Sequence, residues 1–246
     1  MDLGLRGRTA IVCGASSGIG LGIAEALAAE GANVVMFARR RDLLEQEAAR
    51  LGAIPVTGDV TSTEDLERLV ETTMEAHGGV DVLVHNSGGP HRTTAVDLDA
   101  RKVREAVDLL LVSIVELTAL CLPHLERSPA GRIVTITSSS VREPIDALAL
   151  SNSIRPGIVG WSKTLARELG PKGITVNCVA PGRIDTDRVR EVYPDGPTPE
   201  DLATIPLRRL GTSREVGDVV AFLCSDRASY VSGTVTLVDG ALTRSI

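Results

Sequence analysis

Three groups of residues in this 246-residue chain have the types and spacing to do chemistry. The first is Gly14-Ala15-Ser16-Ser17-Gly18-Ile19-Gly20. Glycines let a backbone turn tightly and approach a pyrophosphate, and the N-terminus of a following helix favours its charge. A strand pattern before the motif and a helix pattern after it make it read as a phosphate cradle rather than a bare connection. The second group is Arg39-Arg40-Arg41, directly after Phe37-Ala38. A site for NAD normally places an acid here to accept from the ribose 2′-hydroxyl, whereas arginine accommodates a 2′-phosphate. Arg39 and Arg40 therefore predict NADP(H) rather than NAD(H), against the alternative of a solvated basic turn. The third group is Ser138-Ser139-Ser140, which has no paired histidine and so predicts no hydrolase triad. No metal site is expected, because Cys13, Cys121, Cys178 and Cys224 share no ligand spacing and read as buried, reduced thiols of a cytoplasmic protein.

These groups need elements to position them. Short β-branched runs at Thr9–Cys13, Asn33–Ala38, Ile54–Gly58, Val80–Asn86, Arg132–Ser138, Ile174–Ala180 and Thr234–Val238 alternate with helical patterns. The helices fall after Gly18 and near Asp42–Leu51, Glu64–His77, Asp99–Glu126, Ser153–Leu169 and Glu215–Ser225. Alternation of this kind predicts βαβ units and a doubly wound α/β fold, with about seven parallel strands flanked by helices on both faces. Hydrophobic residues make up 43% of the chain but aromatic ones only 2%, so the core must come from Ala, Val, Leu and Ile, as a sheet buried on both faces requires. Gly31, Gly52 and Gly170 sit where left-handed helix ends are wanted, and Thr61 with Glu64 and Thr212 with Glu215 have capping-box spacing. The length suits one domain spanning 1–246. Within it, Asp185–Leu210 carries Pro194, Pro197, Pro199 and Pro206, lacks periodicity, and predicts a mobile lid. The longest apolar run, Leu109–Val115, is too short to span a bilayer, and a net charge of −6 argues against a nucleic-acid surface. Ligands of such sheets bind beyond the strands' carboxyl ends, where the unusual residues gather.

The glycine spacing is similar to the fingerprint of the short-chain dehydrogenase/reductase family, with Cys13 where Thr is usual. The likeness continues through Gly58-Asp59-Val60, His85-Asn86-Ser87-Gly88, Pro181-Gly182 and Val238-Asp239-Gly240, and so covers essentially the whole chain. It implies that Gly14, Ser16, Ser17, Gly18, Ile19 and Gly20 hold the dinucleotide, with Asp59 and Val60 at the adenine. It further implies Asn86 beside the riboses and Pro181, Gly182 and Thr186 at the carboxamide, with Ser87, Gly88 and Ile184 also among the cofactor-binding residues. His85 and Ser87 depart from the family's Asn-Asn-Ala-Gly. Taken alone, Asp59 could equally cap a helix and Asn86 fasten neighbouring strands; their shared place at strand ends favours a ligand.

The family's Asn, Ser, Tyr and Lys tetrad maps less well. By resemblance the serine is Ser138, while Leu110, Ser151 and Arg155 stand at the Asn, Tyr and Lys positions. Ser151 is shorter and far less acidic than a phenol, and Arg155 can bond ribose hydroxyls but stays protonated. Loss of general acid catalysis costs roughly 10²–10⁴-fold. Ser151-Asn152-Ser153-Ile154-Arg155 resembles a divergent group similar to β-ketoacyl-carrier-protein reductases. Other donors are open: His91 as a general acid or a solvated loop residue, Arg142 and Glu143 as substrate contacts or surface, Ser139 and Ser140 as substitutes for Ser138 or backbone ties.

Two readings follow. One is an NADP(H)-dependent oxidoreductase acting on a 3-oxoacyl-like or other carbonyl, small or carrier-bound, or on the matching alcohol; Ser138 polarises the oxygen, Arg155 fixes the ribose, and the proton comes from water, a substrate group or Ser151. The other is a catalytically silent member serving as a cofactor-bound partner or sensor. A dehydration or isomerisation in the same cleft is a weaker third reading. No nucleic-acid or membrane partner is expected. The resemblance implies a homotetramer or homodimer.

Overall fold

In a computed structural model, residues 1–193 and 195–245 are described. Seven strands form one parallel sheet: β1 (Thr9–Cys13), β2 (Asn33–Ala38), β3 (Ile54–Thr57), β4 (Val82–His85), β5 (Arg132–Ile136), β6 (Thr175–Pro181) and β7 (Val235–Val238). The strand order is β3-β2-β1-β4-β5-β6-β7, so the order reverses between β1 and β4. The fold class expected from the alternation is the one observed.

Period-two alternation explains how the sheet is covered. Ala10, Val12, Val34, Met36, Val82, Val84 and Val134 face one side. There they pack on Ile23 and Leu27 of α1 (Gly18–Ala29), Leu44 of α2 (Arg41–Leu51) and Val216 and Val220 of α9 (Ser213–Cys224). Ile11, Val35, Phe37, Leu83, Ile133 and Val176 face the other. They pack on Leu66 and Leu69 of α3 (Thr63–His77), Leu117 and Cys121 of α5 (Ser113–Leu125) and Ala166 of α6 (Ala149–Leu169).

Local details correct several expectations. The predicted strand ends at Gly58, Asn86 and Ser138 lie beyond the last paired residues, because the chain there has already turned into the site loops. The α3 cap is Ser62, whose hydroxyl accepts from the Asp65 amide at 3.2 Å, one residue past the predicted Thr61 and Glu64 pair. Thr61 is engaged with Asp59 instead. The Thr212 and Glu215 capping box forms as expected. Gly170 has right-handed φ −51, since a short 3₁₀ turn follows the helix and Gly173 takes the left-handed position at φ 75.

The helix predicted at Asp99–Glu126 is α4 (Ala100–Val107) and α5, joined without a break by a π turn at Asp108–Val112. The continuous Ala100–Leu125 stretch is long and apolar enough by length and composition to cross a membrane, unlike the Leu109–Val115 run alone. Its inner residues Leu117, Cys121 and Leu125 are core, whereas Val103, Val112 and Val115 are exposed. The segment 185–210 is less irregular than its prolines suggested. It holds α7 (Asp187–Val192) and α8 (Pro199–Ala203), and its base is pinched by a bridge between Ile184 and Gly211. Pro199 occupies the first turn of α8, where its missing N–H costs nothing. Pro194 lies outside the described residues.

Candidate active site

At the carboxyl edge of the sheet, where strand order reverses, a cleft of about 570 Å³ opens. That volume lies in the range of small-molecule and cofactor sites. Every residue of the expected dinucleotide set lines it except Gly20. Gly20 is instead buried under the loop: a Cβ there would stand 2.1 Å from the Gly14 carbonyl oxygen. Gly14 has φ +62, and its Cβ would meet the Asn86 amide nitrogen at 2.6 Å. Only glycine lets the loop fold this tightly against the end of β4. Asn86 Nδ2 donates to the Cys13 carbonyl at 3.2 Å, so the side chain ties β1 to β4 while also lining the cleft.

The basic pair after β2 reaches into this end. Arg40 donates through Nε to Ser16 Oγ at 3.3 Å and through Nη2 to Ser17 Oγ. It also lies 3.7 Å from the Asp187 carboxylate on α7. Arg39 lies 3.7 Å from Asp59. Asp59 Oδ1 accepts from the amide and hydroxyl of Thr61, forming a turn rather than a helix cap. Both ion pairs are exposed, and such pairs contribute only about 0–1 kcal/mol, so an incoming phosphate can displace either carboxylate. Asp187 was not anticipated; its only sequence signal is an acid directly after Thr186, in the first turn of α7.

The opposite end of the cleft contains Ser138 and Arg155. Ser138 is half-buried, and its Oγ accepts from the Ser140 amide at 3.1 Å. Arg155 is buried, and its Nη1 donates to the Ile136 carbonyl at 3.0 Å. Burial pushes its pKa down to about 10, which leaves the guanidinium charged at neutral pH. Ser151 does not join them. It is buried outside the cleft lining, its Oγ hydrogen-bonded to Ser140 Oγ at 3.0 Å. A side chain of one hydroxymethyl group is satisfied by the nearest buried hydroxyl and has no length to reach further. Leu110 lies in the π turn and lines a water-sized cavity with His85, Ser87 and Arg155. His85 Nε2 is 2.8 Å from Thr118 Oγ1, and burial pushes its pKa down to about 3.

The other candidates lie elsewhere. His91 and Arg142 are exposed and outside the cleft lining. Glu143 accepts from the amides of Arg244 and Ser245, at 2.7 and 2.5 Å, and so anchors the C-terminal segment. Neither of the two tyrosines, Tyr193 and Tyr230, lines the cleft. Lys163 points to β7, donating to the Gly233 carbonyl at 2.9 Å. All four cysteines are buried and free, and no metal-binding group of His, Cys, Asp and Glu occurs among the described residues.

A family model described as enoyl-(acyl carrier protein) reductase matches residues 14–243. The chain belongs to the short-chain dehydrogenase/reductase family. It is 34% identical to the 3-oxoacyl-(acyl-carrier-protein) reductase FabG of Escherichia coli (strain K12), over 98% of this chain and 99% of that one. Its fold matches the L-sorbose reductase of Gluconobacter frateurii, crystallised with NADPH and L-sorbose, at TM-score 0.93 and 31% identity over the whole of both chains. It also matches an NADPH-bound short-chain oxidoreductase of Pseudomonas aeruginosa PAO1 said to contain an atypical catalytic center, at TM-score 0.92 and 27% identity over 97% of this chain and 98% of that one.

The cleft fits the dinucleotide that such enzymes use. A glycine cradle that a Cβ would fill, two serine hydroxyls and two arginines whose carboxylate partners can be displaced suit phosphate groups at one end. At the other, the Arg155 guanidinium has N–H groups beyond the one given to Ile136, and these suit ribose hydroxyls.

Proposed function

We propose that the protein is an NADPH-dependent carbonyl reductase whose proton does not come from a tyrosine. The observation that carries this reading is one cleft that brings the glycine loop, the Arg39–Arg40 pair, Ser138 and Arg155 together while excluding both tyrosines. When bound, the reduced nicotinamide supplies the hydride that, with one proton, turns a carbonyl into an alcohol. The chain's own residues do the rest. Arg39 and Arg40 exchange Asp59 and Asp187 for the 2′-phosphate. Ser138 donates its hydroxyl hydrogen bond to the substrate oxygen. Arg155 fixes the ribose, and the Ser138 hydrogen bond strengthens as negative charge develops on that oxygen. The proton arrives from water, with the small cavity beside Arg155 and Leu110 as its route. This arrangement is an atypical version of the family tetrad, with Leu110, Ser151 and Arg155 at three of its positions.

The NADPH-bound relatives and the basic pair support NADPH over NADH. Four buried, free thiols support a cytoplasmic location. The exposed valines Val103, Val112 and Val115 support assembly of copies through α4 and α5 into a dimer or tetramer. The segment 185–210, pinched at its base and linked to Arg40 through Asp187, suits a lid over the substrate. One observation favours the silent alternative: the Ser151 hydroxyl is turned into the protein, away from the cleft.

The test is to follow NADPH consumption with a panel of ketones and keto acids. Turnover of any carbonyl, abolished by Ser138→Ala, supports the reductase. Tight NADPH binding with no turnover of any carbonyl supports the silent member. In the variant Leu110→Asn with Ser151→Tyr and Arg155→Lys, ketone reduction that the natural protein lacks would show that the family's standard relay is what is missing.

A further inference from the structure

The two ends of the cleft balance their charge differently. The cleft-lining acids are Asp59 and Asp187, and each stands opposite an arginine at the glycine-loop end. Among the described residues, no acid lines the end that holds Ser138 and Arg155, nor the small cavity behind it. Arg155 has no ion-pair partner among the described residues, and its hydrogen bond goes to a neutral carbonyl. A buried charge with neither counter-ion nor full solvation is costly, and proteins keep such groups paired or use them to bind. Ribose hydroxyls accept hydrogen bonds from a guanidinium but bring no charge to offset it. Ser151, which could have presented a polar group on the same helical face, is engaged with Ser140. The Ser138 hydroxyl and the uncompensated Arg155 guanidinium therefore stand together in the lining of that end.

We infer that the substrate end of the cleft takes an anion, and that the substrate is a small oxo acid whose carboxylate is held by Arg155. This deepens the carbonyl reductase reading and rests on it. Arg155 presents a planar fork that matches a carboxylate, a preference a lysine in its place would not have. Ser138 remains for the carbonyl oxygen. Reduction then transfers a hydride to the carbonyl carbon and a proton from water to its oxygen, giving the hydroxy acid and oxidised cofactor.

The experiment is calorimetric titration of the NADPH-loaded protein with acetate and with acetamide, its neutral counterpart of the same shape. Acetate is expected to bind at least about tenfold more tightly, the difference that roughly 1.4 kcal/mol of charge pairing gives. Arg155→Met should remove the difference, and Arg155→Lys should keep part of it. Equal binding, or binding of neither probe, overturns the anionic class, as does an acetate preference that survives Arg155→Met. Failure of NADPH itself to bind the natural protein marks instead the failure of the reductase reading. If Arg155→Met does not fold, acetoacetate against methyl acetoacetate on the natural protein decides, with equal binding or none overturning the inference.

Discussion

The glycine-loop end of the cleft and the Ser138 end are built on opposite principles. At the first, charges are exposed and answered within the protein, Arg39 by Asp59 and Arg40 by Asp187. At the second, the charge of Arg155 is buried and unanswered, beside a serine turned inward and a leucine in the π turn. A phosphate can replace an exposed carboxylate at little cost, so the first end can take up a 2′-phosphate by exchanging partners. The second end cannot exchange partners in that way. Its specificity lies in what enters to satisfy a group the fold has left open.

The largest expected effect on cofactor affinity is at the glycine loop. Gly20→Ala would drive a Cβ to within 2.1 Å of the Gly14 carbonyl, among backbone atoms that cannot swing aside. Stability should fall by about 1–3 kcal/mol, and NADPH affinity by roughly a hundredfold, read by thermal melting and fluorescence titration. Unchanged NADPH affinity would remove the loop from the site. Next, Arg40→Ala should weaken NADPH by about tenfold or more through a lost charged hydrogen bond while leaving NADH unchanged. Equal weakening of both cofactors would mean that Arg40 only props Ser16 and Ser17.

A different effect, read in stability against pH, separates buried from exposed charge. His85 has its pKa lowered by burial from 6.5 to about 3, so the unfolded chain binds a proton that the folded one refuses. Its contribution is complete above the unfolded value and is lost as pH falls from 6.5 towards 3, by at most ~1.4 kcal/mol per pH unit. His85→Asn should flatten this part of the pH profile in chemical denaturation. An unchanged slope would show that another group carries it. Smallest of all, Asp187→Asn should tighten NADPH by less than about fivefold, and the gain should vanish at high salt.

These contrasts also explain what could be read in the sequence. The glycine loop, the basic pair and the strand ends follow from local backbone chemistry and period, and all the residues expected there except Gly20 line one cleft. The Ser62 cap and the left-handed Gly173 each fell a short way from the expected position, because element ends are set by side-chain competition too local for period alone. Ser151 was harder. The expected helix began near Ser153, so Ser151 in the first turn of α6 fell just outside it, and its bond to Ser140 depends on how a 3₁₀ turn at Ser139–Val141 packs against that helix. The pairing of Arg40 with Asp187 likewise joins residues far apart in the chain, with no motif to announce it.

A fluorescence titration of the purified protein with NADPH and with NADH tests most directly whether this cleft holds NADPH in preference. The account predicts saturable binding of both, with NADPH tighter by at least about tenfold, the effect of losing the charged contacts to a 2′-phosphate. Binding of neither cofactor, or tighter binding of NADH, would contradict it.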